Sequence, residues 1–201
     1  MLDFPSRTAN TAGRMSASHP RTDQSLLAGW RHGLSVVNLR GNAADPAFRE
    51  GVSRALGLEL PTKACTSVAN NTHRIVWVGP DDWFVVGPKG SAFAIETELR
   101  QALQGQHFAV SDVSSGYTVL HLSGQAVRDV LAQGCPLDLH PRVFKPGSSA
   151  GSLFFKASIW LWQTDEAPVY EMLVRSSFSG YVWLMIERAS QECGLVIRRF
   201  P

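Results

Sequence analysis

The feature that most constrains this chain is an internal echo. Val36-Val-Asn-Leu-Arg-Gly41 is answered by Val119-Leu-His-Leu-Ser-Gly124, and Ile75-Val-Trp-Val78 by Ile159-Trp-Leu-Trp162. Leu58-Glu-Leu-Pro61 is answered by Leu137-Asp-Leu-His-Pro141, with one residue inserted. The shift is about eighty residues each time, too short for two large domains and long enough for one supersecondary unit. A chain of 201 residues therefore holds the unit twice.

Each copy reads as β-α-β-β-α-β. In the first, Leu34–Arg40 is a strand rich in β-branched and apolar residues. Asp45 followed by Pro46 starts a helix, with a capping carboxylate and then proline at the first helical position, and Gly57 stops it. Arg74–Val78 and Trp83–Val86 form a hairpin through Gly79-Pro-Asp-Asp82. A helix over about 91–103 and a strand over 108–113 complete the copy. In the second copy, Tyr117–Leu122 is a strand and a short helix ends at Gly134. Strands follow near 152–156, 158–163 and 169–174, then a helix capped by Ser177 and a closing strand over 194–197. The expected fold class is α+β: two tandem ferredoxin-like βαββαβ halves, about 34–113 and 117–199, packed as one pseudo-symmetric domain over 31–201. Residues 1–30 carry no apolar periodicity and read as an N-terminal arm, flexible or ordered by a partner.

Composition excludes several functions. A formal net charge of +2, with basic residues never in runs, leaves no electrostatic footprint for nucleic acid. No apolar stretch reaches membrane-spanning length, and Arg7, Asn10, Arg14 and His19 interrupt any signal-peptide core. Cys65, Cys135 and Cys193 are an odd, scattered set, neither a disulfide framework nor a zinc motif, which fits a cytoplasmic protein. Charged residues make up only 18% of the chain and six are tryptophans, a balance that favours life in a complex. Trp160 and Trp162 share one face of a strand and are the expected partner interface; the plainer reading is that they fill the seam between the halves.

Chemistry-bearing residues do not form a site. His107, His121, Cys135 and His140 lack metal-ligand spacing. Ser114-Ser-Gly116 lacks the strand-to-helix context of a nucleophile turn, and Gly116 is expected to supply positive φ there. Lys89-Gly-Ser91 has the wrong order for a phosphate loop. Asp81 and Asp82 are explained as turn formers, and Asp112 as ordering the following loop. No catalytic, cofactor-binding or metal-binding residue is assigned.

Several stretches together resemble the gamma subunit family of heterotetrameric sarcosine oxidase: Val78–Val86, Ser111–Gly124, Arg128–Arg142 and Val174–Trp183, in order and at these spacings, across roughly 34–193. The resemblance implies an α+β fold like the folate-binding aminomethyltransferases. It implies a non-catalytic structural subunit of an oxidoreductase with alpha, beta and delta partners. That complex converts sarcosine, oxygen and tetrahydrofolate to glycine, 5,10-methylenetetrahydrofolate and hydrogen peroxide. FAD, FMN, NAD, tetrahydrofolate and zinc are implied in the other subunits, with no cofactor in this chain. A free-standing folate-binding aminomethyltransferase-like protein is the alternative.

Overall fold

A computed structural model describes residues 26–200. Its strands β2 (Ser35–Gly41), β3 (Ser67–Ala69), β4 (Arg74–Gly79), β5 (Asp82–Gly87) and β6 (Phe108–Asp112) form a five-stranded sheet in the order β3-β4-β5-β2-β6. Helices α1 (Pro46–Leu56) and α2 (Ala92–Ala102) connect them. The second half repeats the plan with β7 (Tyr117–Ser123), α3 (Val127–Ala132), β8 (Ser149–Phe154), β9 (Ala157–Asp165), β10 (Val169–Arg175), α4 (Ser179–Ala189) and β11 (Leu195–Ile197). Stripped of β3, the first sheet has the ferredoxin-like order, and the second has it once β8 and one inserted strand are set aside, so the expected α+β tandem is what the chain adopts. The short β3 was not expected, and the strand read at 152–156 lies at 149–154.

The echoed motifs occupy equivalent places. Val36–Gly41 lies on β2 and Val119–Gly124 runs along β7, each the first strand of its half and interior to its sheet. Ile75–Val78 and Ile159–Trp162 lie on β4 and β9, each second from an edge. Leu60 and Leu139, the third residues of the Leu-x-Leu echoes, are each buried in their own half's core.

One strand departs from the plan. β1 (Leu26–Arg31) enters the second sheet, whose order is β11-β1-β7-β10-β9-β8. It runs antiparallel to β7 and parallel to β11. Residues 26–30, assigned above to the arm, are thus interior sheet, with Leu26, Ala28 and Trp30 buried. The sequence hides this because Gly29 interrupts a short apolar run that follows a polar stretch. That glycine is required: a Cβ there would lie 1.8 Å from the Arg198 carbonyl oxygen. The rest of the expected arm, 1–25, lies outside the described residues.

Two apolar cores separate each sheet from its helices, and a third lies between the sheets. Strand alternation builds this: on β9, Ile159 and Leu161 belong to the helix-side core while Trp162 faces the seam with partly buried Trp160. The seam buries Val36, Val76, Phe84, Val86, Val119, Trp162 and Leu173. Each such side chain is worth about 2 kcal/mol. Together they rival the whole net stability of a typical domain, about 5–15 kcal/mol, so the halves form one unit. Backbone bonds reinforce the joint: Ser67 N–H donates to Gly147 O at 2.7 Å and Ser149 N–H to Cys65 O at 3.0 Å.

Local chemistry explains the helix ends. Asp45 Oδ1 accepts from Ala47 N–H at 2.9 Å ahead of Pro46, and Gly57 closes α1 at φ 63°. Ser177, the expected cap of α4, lies instead in a single 3-10 turn, Ser176–Phe178, that leads into the helix. Gly116 is likewise in a 3-10 turn and is not among the positive-φ glycines. No helix among the described residues is long and apolar enough to cross a membrane.

Candidate functional site

Within the seam, strands of the second sheet converge on a buried carboxylate. Glu171 sits on β10 between Tyr170 and Met172, which face the helices, so alternation turns it into the seam, where it is 6% exposed. It is the one buried charged residue among the described residues. Both of its oxygens are engaged. Arg31, at the end of β1, donates Nη1–H to Oε1 in an ion pair. Trp162, its cross-strand neighbour on β9, donates Nε1–H to Oε2 at 2.9 Å. His121 on β7 lies opposite Glu171 on its other flank.

The first sheet contributes Arg74 from β4. Its guanidinium lies 5.9 Å from the Trp162 ring centroid, a cation–π placement. It donates Nη1–H to Ser67 Oγ at 3.1 Å. Burial lowers the Arg74 pKa, the Glu171 charge opposes this, and the Arg31 charge adds to it. Burial also pushes the His121 imidazole below its ordinary 6.5, against the pull of Glu171 and with help from Arg31 and Arg198, leaving it neutral at pH 7. The Phe200 ring packs against it at 4.5 Å between centroids.

Two clefts open beside this cluster and share Arg31. One, about 370 Å³, is lined by Arg31, Arg74, Glu171, the 70–73 turn and Thr164. The other, about 630 Å³, runs past Ser35, Phe93, Ser114, Tyr117 and Ser176. The arrangement can bind and orient; each oxygen of its carboxylate already accepts one hydrogen bond.

The structure places the other singled-out residues apart. Trp162 is wholly buried and Trp160 packs edge-on to Phe84 at 5.1 Å, so the expected partner interface is largely internal seam, as alternation on β9 demands. His121 faces the seam, whereas Cys135 lies in the helix-side core of the second half. His107 lines a groove with Arg40 and Asp81, and His140 sits in an exposed loop. Asp82 accepts from Asn38 Nδ2, Asp81 pairs with Arg40 at 2.9 Å, and Asp112 accepts from Ser114 N–H at 2.8 Å, all structural tasks. Glu171 escaped sequence reasoning. Its signal was a lone acid inside the apolar run Val169-Tyr-Glu-Met-Leu-Val174.

With this geometry in hand, likeness to known proteins is informative. The sequence model described as the sarcosine oxidase, gamma subunit family matches residues 40–192. Sarcosine oxidase subunit gamma of Arthrobacter sp is 36% identical over 143 residues, 69% of this chain and 68% of that protein. Its namesake from Corynebacterium sp. (strain P-1) is 34% identical over 138 residues, 67% of this chain and 66% of that protein. A chain of heterotetrameric sarcosine oxidase from Corynebacterium sp. U-96 superposes with a TM-score of 0.83 at 25% identity, covering 94% of this chain and 95% of that one. The glycine cleavage system aminomethyltransferase T of Bartonella henselae shares the fold, with a TM-score of 0.64 at 14% identity over 89% of this chain and 48% of that one.

Proposed function

This chain belongs to the sarcosine oxidase gamma subunit family, and from that premise we propose that it is a non-catalytic structural subunit of a heterotetrameric sarcosine oxidase. In this reading its alpha, beta and delta partners hold FAD, FMN, NAD, tetrahydrofolate and zinc. The assembled cytoplasmic enzyme oxidises sarcosine at a C–N bond with oxygen as acceptor, yielding glycine, 5,10-methylenetetrahydrofolate and hydrogen peroxide. The observation that carries the reading is the state of Glu171. The one buried acid among the described residues accepts a bond on each oxygen, from Arg31 and Trp162 of its own sheet, which suits tying the strands of that sheet together and not moving protons. The free-standing aminomethyltransferase alternative rests on the shared fold alone, and fold does not imply function.

Co-expression tests the proposal. Tagged chain produced with the large flavin-binding subunits should co-purify with them in fixed stoichiometry, while the isolated chain carries neither flavin absorbance nor zinc. A soluble monomer that ignores those subunits at micromolar concentration, or an isolated chain holding stoichiometric flavin, would overturn it.

A further inference from the structure

We infer that the smaller cleft at the seam is a binding site for a small oxyanion, a carboxylate or phosphate group, anchored by Arg74 with Arg31 beside it. The inference stands apart from the scaffold reading and survives or fails independently of it.

The argument is one of unbalanced charge. Two guanidiniums, Arg31 and Arg74, line a cleft of about 370 Å³ whose one acidic lining residue is Glu171. That carboxylate is committed to Arg31 and to the indole N–H of Trp162. Arg74 therefore has no carboxylate within ion-pair distance among the described residues. Its side-chain donation to Ser67 Oγ uses one of five N–H donors, and the contact with Trp162 uses the face of the group and not its edge. A half-buried cation is costly unless its charge is answered; burial and the Arg31 charge work against the charged form of this one, and the shared Glu171 charge does not outweigh them. The remaining wall does not answer it. His121, behind Glu171, has its pKa lowered by burial, and the 70–73 turn carries no carboxylate, with the Thr72 hydroxyl engaged at Asn70 Oδ1 at 3.0 Å. What the cleft lacks is an anion. Arginine forks match carboxylate and phosphate oxygens in pairs, and the volume suits a group of a few heavy atoms.

The test is arginine-selective modification of the full-length chain in whatever assembly it purifies, with phenylglyoxal and peptide mass mapping. Inorganic phosphate and acetate are separate arms at constant ionic strength. Arg74 should react slowly, and millimolar phosphate or acetate should protect it saturably. Arg40, in an exposed surface pair with Asp81, should react without protection. Protection by phosphate alone assigns a phosphate-bearing ligand, by acetate alone a carboxylate. In calorimetry of the same material, Arg74→Gln should weaken the bound anion at least about tenfold, and Arg74→Lys should retain phosphate better than acetate. An Arg74 that does not react, or reacts equally with and without both anions, overturns the inference. The mapping uses unmutated protein, so failure of a variant to fold does not rescue it.

Discussion

His121 and Glu171 sit opposite each other on neighbouring strands, and the two side chains have opposite fates. The acid keeps its charge partners, while the imidazole is driven toward its neutral form chiefly by burial, with Glu171 opposing and Arg31 and Arg198 assisting. The sign of the consequence is fixed. A histidine whose folded pKa lies below its unfolded 6.5 binds fewer protons folded than unfolded in the window below 6.5. Its contribution to stability is full above that value and is lost as pH falls through the folded pKa. The urea midpoint of the wild type should therefore drop between about pH 7.5 and about pH 5.5, and His121→Asn should show a shallower drop. Equal slopes in the two proteins would refute the burial argument. The sequence alone gave His121 no such role, because the burial of a strand histidine depends on which sheet lies across from it.

At the scale of elements, β1 is the instructive case. Its pairing with the C-terminal segment depends on Gly29, where any Cβ meets the Arg198 backbone oxygen, and Arg198 N–H donates to Ala28 O at 2.9 Å. Gly29→Ala should lower stability by about 1–3 kcal/mol and speed amide exchange at 195–198 before the rest of the sheet. Gly180→Ala, in α4 with open space around the added methyl, should stabilise by up to about 1 kcal/mol; equal effects at the two glycines would contradict this account. The elements legible in the sequence were those with local signatures. Asp45-Pro46 and Gly57 bracket α1, and the echoed strands carry their own alternation. What stayed hidden was set by distant contacts. β1 is too short and too interrupted to announce itself, β3 has only three residues, and Glu171 acquires its role from residues 140 positions away and from the facing sheet.

At the scale of the molecule, the seam decides how the chain comes apart. Seven buried side chains join the sheets, and backbone bonds bind residues 65–67 to 147–149. Urea unfolding should be a single transition, with far-ultraviolet circular dichroism and tryptophan fluorescence coincident within error. A resolved intermediate with one half folded would show that the seam is weaker than its burial implies. The placement of β1 also sets an order of events on the ribosome. The strands of the first sheet, among the described residues, run from residue 35 to residue 112 and are all present once residue 112 has emerged. The strand made earlier must wait, its apolar face unsatisfied, for β7 and finally for β11, whose paired residues are synthesised 169 positions later (Leu26 with Leu195). The second half therefore cannot close vectorially as it is made: its sheet is finished by joining a strand synthesised before the whole first half to one synthesised after everything else in the sheet.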